Sequence, residues 1–197
     1  MRKIKMLNRV SIDGYFASNN EANFGMDWFI HDPEVDKAAH IIGGKMDTLL
    51  LGGTTYRGFE RSWVPFLNDP NAPEQLKKVA EELTDMTKIV FSKTIKGSNW
   101  PNTQIVDGDL IEIVRQLKHR SSTDILVLGS GSVVRQLANE RLIDEYIFIV
   151  TPVVAGEGKP LFSYVNQLDL TLCEAKTFES GNVVLHYVAK EVKAPIN

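Results

Sequence analysis

The chain has 197 residues, 43% hydrophobic and 24% charged, with a formal net charge of −3, a composition that predicts one globular domain over 1–197, able to bury roughly 70% of the surface of its unfolded chain. Interspersed charges of both signs exclude the basic footprint of a nucleic-acid or anionic-lipid binder, and a single cysteine, Cys173, excludes internal disulfides and Cys-rich metal sites. No run approaches 18 apolar residues and the N-terminus lacks a signal-peptide pattern, so no membrane partner is expected and the expected compartment is cytoplasmic.

Lys3 to Ile12, rich in Ile, Val, Met and Leu, predicts a first strand that stops at the turn-forming pair Asp13-Gly14. Tyr15 to His31 carries Asn-Asn and Asn-Phe-Gly punctuation among aromatic residues, which predicts a long loop and a candidate lid. Asp32 as N-cap and Pro33 behind it open a helix on which Val35, Ala38, Ala39, Ile42 and Met46 recur. Thr48 to Leu51 reads as a buried strand running into Gly52-Gly53-Thr54-Thr55 and a helical stretch to Arg61, and Pro65 to Pro73 as a polar connection. Leu76, Val79, Ala80 and Leu83 mark the next helix. Strands follow at Lys88–Phe91 and Thr103–Val106, then a helix on Leu110, Ile113, Val114 and Leu117.

Ile125 to Leu128 predicts another buried strand, and Gly129-Ser130-Gly131-Ser132 leads into a helix on Val133, Val134, Leu137 and Ala138. This alternation requires a mostly parallel sheet with helices on its faces. Tyr146–Val154 is strand-like, and Leu168–Phe178 and Val183–Val192 form an antiparallel hairpin across Glu179 to Asn182. The fold class is α/β: a mixed sheet with an antiparallel C-terminal edge. No repeat or interdomain linker interrupts it.

The glycine turns at Gly52–Thr55 and Gly129–Ser132 both follow a buried strand and open a helix. Ligands gather at the carboxyl ends of such strands, where helix N–H groups and roughly half a positive charge meet a phosphate. Either turn alone is equally a tight turn that needs glycine; the pair suggests the phosphates of a dinucleotide, although neither is GxGxxG. Asp36 and His40, four residues apart beside the apolar stripe of their helix, could face a cleft, and a carboxylate there could orient a substrate nitrogen and favour its protonation. A solvated surface acid is the alternative for Asp36. His31, His119 and His186 show no metal-ligand spacing, so no metal is expected. Cys173 reads as a small buried hydrophobe, Trp28 as a cover over a ligand, and Trp63 and Trp100 as packing residues.

Ser11-Ile12-Asp13-Gly14-Tyr15, Leu51-Gly52-Gly53-Thr54-Thr55-Tyr56, Phe91-Ser92-Lys93-Thr94, Val127-Leu128-Gly129-Ser130-Gly131-Ser132, Leu142-Ile143-Asp144-Glu145-Tyr146 and Thr151-Pro152-Val153-Val154-Ala155-Gly156-Glu157-Gly158 occur in this order, followed by Leu161-Phe162. Together they resemble the reductase domain of bacterial bifunctional riboflavin-biosynthesis deaminase-reductases and its free-standing dihydrofolate reductase-like relatives, over Ser11 to about Val188. The resemblance implies a three-layer dihydrofolate reductase-like fold, NADPH as cofactor and a homodimer, formed through the C-terminal strands. It further implies that Gly52, Gly53, Thr54 and Thr55 with Gly129, Ser130, Gly131 and Ser132 hold the cofactor phosphates, while Ser92 and Lys93 approach the adenosine 2′-phosphate. The family commonly has a basic residue where this chain has Gly53, which leaves Lys93 and Arg57 to supply charge. Asp36 matches, by position only, the acidic residue that true dihydrofolate reductases carry on the corresponding helix.

The expected activity is hydride transfer from NADPH to a small nitrogen heterocycle, a pterin or ribosylaminopyrimidine. The chain carries no zinc-binding deaminase spacing, which sets it apart from the bifunctional enzyme. The alternatives are a non-catalytic nucleotide-binding regulatory module of the same fold and a specialised dihydrofolate reductase that confers antifolate tolerance.

Overall fold

The computed structural model describes residues 1–20 and 24–190. Its main sheet has eight strands: β1 (Ile4–Ser11), β3 (Met46–Gly52), β4 (Thr87–Phe91), β5 (Thr103–Val106), β6 (Asp124–Val127), β7 (Glu145–Thr151), β9 (Leu170–Thr177) and β10 (Val183–Ala189). Two short strands, β2 (Tyr15–Ala17) and β8 (Lys159–Pro160), pair beside it. The helices are α1 (Pro33–Gly43), α2 (Gly53–Asn68), α3 (Glu74–Asp85), α4 (Leu110–His119) and α5 (Gly131–Asn139). Strand order across the sheet is β5-β4-β3-β6-β1-β7-β10-β9. All pairings are parallel except β7 with β10 and β10 with β9.

Alternation along the buried strands builds the three layers. Leu50, Ile125, Val127, Ile4, Met6 and Val10 face Leu110, Val114 and Leu117 of α4 and Val133, Val134 and Leu137 of α5. Leu49, Leu51, Val90 and Leu126, on the opposite face, meet Tyr56 of α2 and Leu83 of α3. Val35 and Ala39 of α1 close that face over Ile147, Ile149 and Val184. The expected α/β, dihydrofolate reductase-like architecture is therefore the one observed.

Four expectations need correction. Pro65 lies inside α2, which runs on to Asn68, because Phe59, Trp63 and Val64 keep packing on the core and outweigh the one N–H that proline lacks. Met46 begins β3 rather than ending α1, since Gly44 terminates the helix at a φ of 67°. The long loop from Tyr15 to His31 contains β2, and residues 21–23 of it lie outside the described residues, as does the last part of the expected strand to Val192. Cys173 is exposed, because β9 is the outermost strand and has no helix over it.

Lys88 shows how the core handles a charge. It is 0% exposed, and its Nζ donates to the carbonyls of Leu83 at 2.7 Å, Thr84 at 2.9 Å and Met86 at 2.7 Å, at the C-terminus of α3. The ammonium also sits 4.9 Å from the centroid of the Trp100 ring. It thus satisfies the carbonyls that every helix end leaves without partners. Burial pushes its pKa down from 10.5 to about 8, opposed by Asp85.

Lys88→Met takes the side-chain donor from the Leu83 and Met86 carbonyls, while Thr84 keeps Asn102 Nδ2 at 3.0 Å, and is expected to cost about 2–4 kcal/mol at neutral pH by urea denaturation. The native lysine releases its proton near pH 8, the unfolded one only near 10.5, so the unfolded chain binds more protons in between. Stability of the wild type relative to the variant should therefore rise as pH climbs from about 8 to 10. A variant as stable as wild type across that range would contradict this account.

Candidate functional site

Apart from α3, which is uncapped but begins with Glu74, the described helix N-termini divide into two kinds. Asp32 caps α1 by accepting from the Glu34 N–H, and Asp109 caps α4 by accepting from the Glu112 N–H. α2 and α5 begin at Gly52 and Ser130 with no side-chain cap and no acidic residue in the first turn. Their leading N–H groups and positive dipole ends are left for an external acceptor, the arrangement that suits a phosphate.

These two N-termini are brought together. β3 and β6 are adjacent and parallel, so the helices that follow them start at the same end of the sheet. A Cβ built on Gly52 would fall within 2.9 Å of Ser130 Cβ and closer still to its hydroxyl, and one on Gly53 would lie 2.9 Å from Ser92 Oγ. A Cβ built on Gly129 would be in ordinary contact with Thr55 Oγ1, at 3.6 Å, but Gly129 has φ +96°, a conformation that costs a side chain about 1–3 kcal/mol. A Cβ built on Gly131 would fall 2.7 Å from the Phe16 ring of β2. The Ser130 and Ser132 hydroxyls are 2.8 Å apart. The eight residues Gly52–Thr55 and Gly129–Ser132, together with Ser92, therefore form one continuous surface. The residue at 53 abuts Ser92, so a longer side chain there requires that the Ser92 loop move.

Lys93 is exposed on the loop beyond Ser92, and its backbone carbonyl accepts from Lys96 Nζ at 3.2 Å. Arg57 is exposed on the next turn of α2. Arg135, four residues into α5, reaches the Pro160 carbonyl at 3.3 Å.

On the α1 side of the sheet, Asp36 is ion-paired with Arg9 of β1, and its other oxygen lies 3.3 Å from His31 Nδ1. Arg9 also donates to the Ile30 carbonyl at 3.5 Å. His40, expected beside Asp36, is exposed one helical turn away, and the imidazole that pairs with the carboxylate is that of His31. The segment around Ile30 is further held by Asn182, which donates to the Ile30 carbonyl at 3.3 Å and accepts from Thr151 at 3.2 Å. Ser180 donates to Asp32 at 2.6 Å and holds that carboxyl below its ordinary value.

Asp13 plays the matching part on the other rim. Hydrogen bonds from the Ser11 hydroxyl first, and from the N–H groups of Ala155 and Gly156, pull its carboxyl down from 3.8 to about 2. Trp28 is half-buried against Phe29, its Nε1 enclosed without a partner among the described residues. Trp100 is buried, as expected of a packing residue.

Arg9, Asn8 and Arg135 were not singled out in the sequence, and His31 was weighed only as a metal ligand, not as the partner of Asp36. Arg9 alone carried a signal, as a cation within an otherwise apolar strand. Among the described residues no group of three or more His, Cys, Asp or Glu could hold a metal ion. A groove of about 600 Å³ on α4, lined by Asp109, Glu112, Arg115, His119 and Glu140 among others, includes no residue of either glycine turn.

Residues 2–185 match the model of the RibD C-terminal domain. The chain is 31% identical over 189 residues to the Bacillus subtilis protein YyaP, covering 94% of each. Among solved structures it resembles a putative riboflavin biosynthesis protein from a Shewanella species, with TM-score 0.70 and 19% identity over 96% of this chain and 99% of that one. Enterococcus faecalis dihydrofolate reductase, complexed with NADP(H), superposes with TM-score 0.62 and 12% identity over 96% and 97%. At these identities the two structures establish the fold.

The contact between the turns has a direct test. Gly52→Ala drives a Cβ into Ser130 and is expected to cost about 1–3 kcal/mol of stability, as overpacking does. Combining it with Ser130→Gly should restore part of that loss, with a coupling of about 0.5–3 kcal/mol in a double-mutant cycle. Simple additivity of the two would show that the turns do not touch.

Proposed function

The chain belongs to the RibD C-terminal domain family, and from that membership we propose that it is an NADPH-dependent reductase acting on a nitrogen heterocycle of the pterin or ribosylaminopyrimidine type. The observation that carries this reading is the meeting of two uncapped helix N-termini at one end of the sheet. A dinucleotide has two linked phosphates to place, and two adjacent positive helix ends suit them. Lys93, exposed beyond Ser92, is suited to a 2′-phosphate.

When bound, NADPH supplies the hydride, which adds to the carbon of a C=N or C=O bond while the heteroatom gains a proton. The protein's part is to position and to protonate. Asp36, ion-paired with Arg9, orients the exposed imidazole of His31, whose ring nitrogens can donate to or accept from a substrate. Trp28, half-buried beside Phe29, can lie against a flat ring.

Saturating NADPH, at about 100 times its Kd, should stabilise the protein by about 2.7 kcal/mol and raise its melting temperature by roughly 5–11 °C. Lys93→Ala should weaken NADPH about 10 to 150-fold and leave NADH nearly unchanged. No melting shift at millimolar NADPH would refute the reductase reading. Binding without NADPH oxidation, across a panel of pterins, flavins and quinones, would favour the non-catalytic nucleotide-binding module.

Asp36→Asn should lower kcat/KM roughly 10² to 10⁴-fold for whichever substrate turns over, with NADPH affinity retained. Its melting curve must match wild type for the comparison to hold, because the variant also frees Arg9. Unchanged turnover would make Asp36 a surface acid.

A further inference from the structure

β1 and β6 pair only at Ile4, Lys5 and Met6, opposite Ile125, Leu126 and Val127, yet β1 continues on its other side with β7 as far as Ser11. Counting on in register, Asn8 lies level with Gly129, where the chain has already turned away into α5. Beyond Met6 the β6 side of β1 is thus an open sheet edge, and it faces the glycine turns.

Asn8 stands at that opening. It is 6% exposed, its Oδ1 lies 3.7 Å from where a Gly129 Cβ would be, and its Nδ2 is enclosed with no hydrogen-bond partner among the described residues. Buried polar groups are nearly always paired, and one left unpaired beside a binding surface calls for a partner from outside. Its neighbours Met6 and Val10 on the same face are apolar and buried. An asparagine in that row gains nothing from the packing that an aliphatic side chain would not provide.

We propose that Asn8 is the residue that reads the carboxamide of the nicotinamide ring, an inference that rests on the NADPH reading above. A primary carboxamide offers one carbonyl acceptor and an NH₂ donor, the complement of the asparagine side chain, so the two amides can pair through both groups. With the phosphates at the N-termini of α2 and α5, the nicotinamide end of the dinucleotide enters the gap between β1 and β6. The amide pair then fixes which face of the ring is turned toward the Arg9–Asp36–His31 side of the sheet. Asn8 is on this account a positioning residue.

The test compares NADPH with adenosine 2′,5′-bisphosphate, which keeps the adenosine phosphates and lacks the nicotinamide, by calorimetric titration of wild type, Asn8→Leu and Asn8→Ala. Both variants should bind NADPH roughly 5 to 100-fold more weakly and the bisphosphate within about twofold of wild type. Free Asn8→Leu should melt no lower than wild type, because it removes an unpaired buried amide. Equal weakening of both ligands, a fall in the melting temperature of both free variants, or unchanged NADPH affinity would each overturn the assignment to the carboxamide. A wild type that binds the bisphosphate but gains nothing from the nicotinamide would overturn it while leaving the phosphate site intact. Binding of neither ligand would overturn the cofactor reading itself.

Discussion

β1 and β6 run side by side only as far as Met6 and Val127, and then the chain turns away at Gly129 while β1 continues against β7. In a sheet that is parallel at its centre, such a parting leaves unpaired backbone and space at the carboxyl ends of the strands, where a ligand can replace the missing neighbour. The helix after β6 begins beside the one after β3, so the parting and the two helix N-termini lie together. Close contact of Gly52 with Ser130 ties the turns into a single surface. A side chain at Gly52 would separate them, and a side chain at Gly129 would strain the turn that makes the gap.

Charge is sorted to match. Carboxylates cap the N-termini of α1 and α4, and Lys88 satisfies the carbonyl end of α3. Among the described residues, the helices at the glycine turns alone combine an uncapped N-terminus with a first turn free of acids, since α3, though uncapped, begins with Glu74. An anion bound there meets no capping side chain and no first-turn carboxylate. Across the sheet, the exposed Asp36 is held between Arg9 and His31, so this acid is already partnered before any ligand arrives. On the proposed reading, any effect of Asp36 on a substrate would pass through His31 or through the ion pair, rather than through a bare carboxylate.

Much of this was legible in the sequence because it depends on local signals. The apolar runs Thr48–Leu51 and Ile125–Leu128, each followed by glycine, were sufficient to place both turns at strand-to-helix junctions. Asp32-Pro33 placed the start of α1 to the residue. What stayed hidden depends on contacts distant in the chain. Pro65 signals a break in any local reading, but Trp63 and Val64 pack on a core assembled from β3, β4 and β6 and carry the helix through it. Asp36 pairs with residues 27 and 5 positions before it, and only the packing of α1 across β1 shows Arg9 as a partner. Cys173 sits in a strand-like run and reads as buried, since the sequence does not say which strand is the edge. Asn8 is unremarkable until β6 is seen to end level with Met6.

The central claim is that the two glycine turns form one nucleotide-phosphate site, and the most direct measurement is an amide ¹H–¹⁵N NMR titration of the protein with NADPH. The account predicts that the largest shift changes fall on the amides of Gly53, Thr54, Thr55, Gly131 and Ser132, saturating together with one Kd. Changes concentrated instead around Asp109, Arg115 and His119, at the groove on α4, with the glycine turns unmoved, would contradict it.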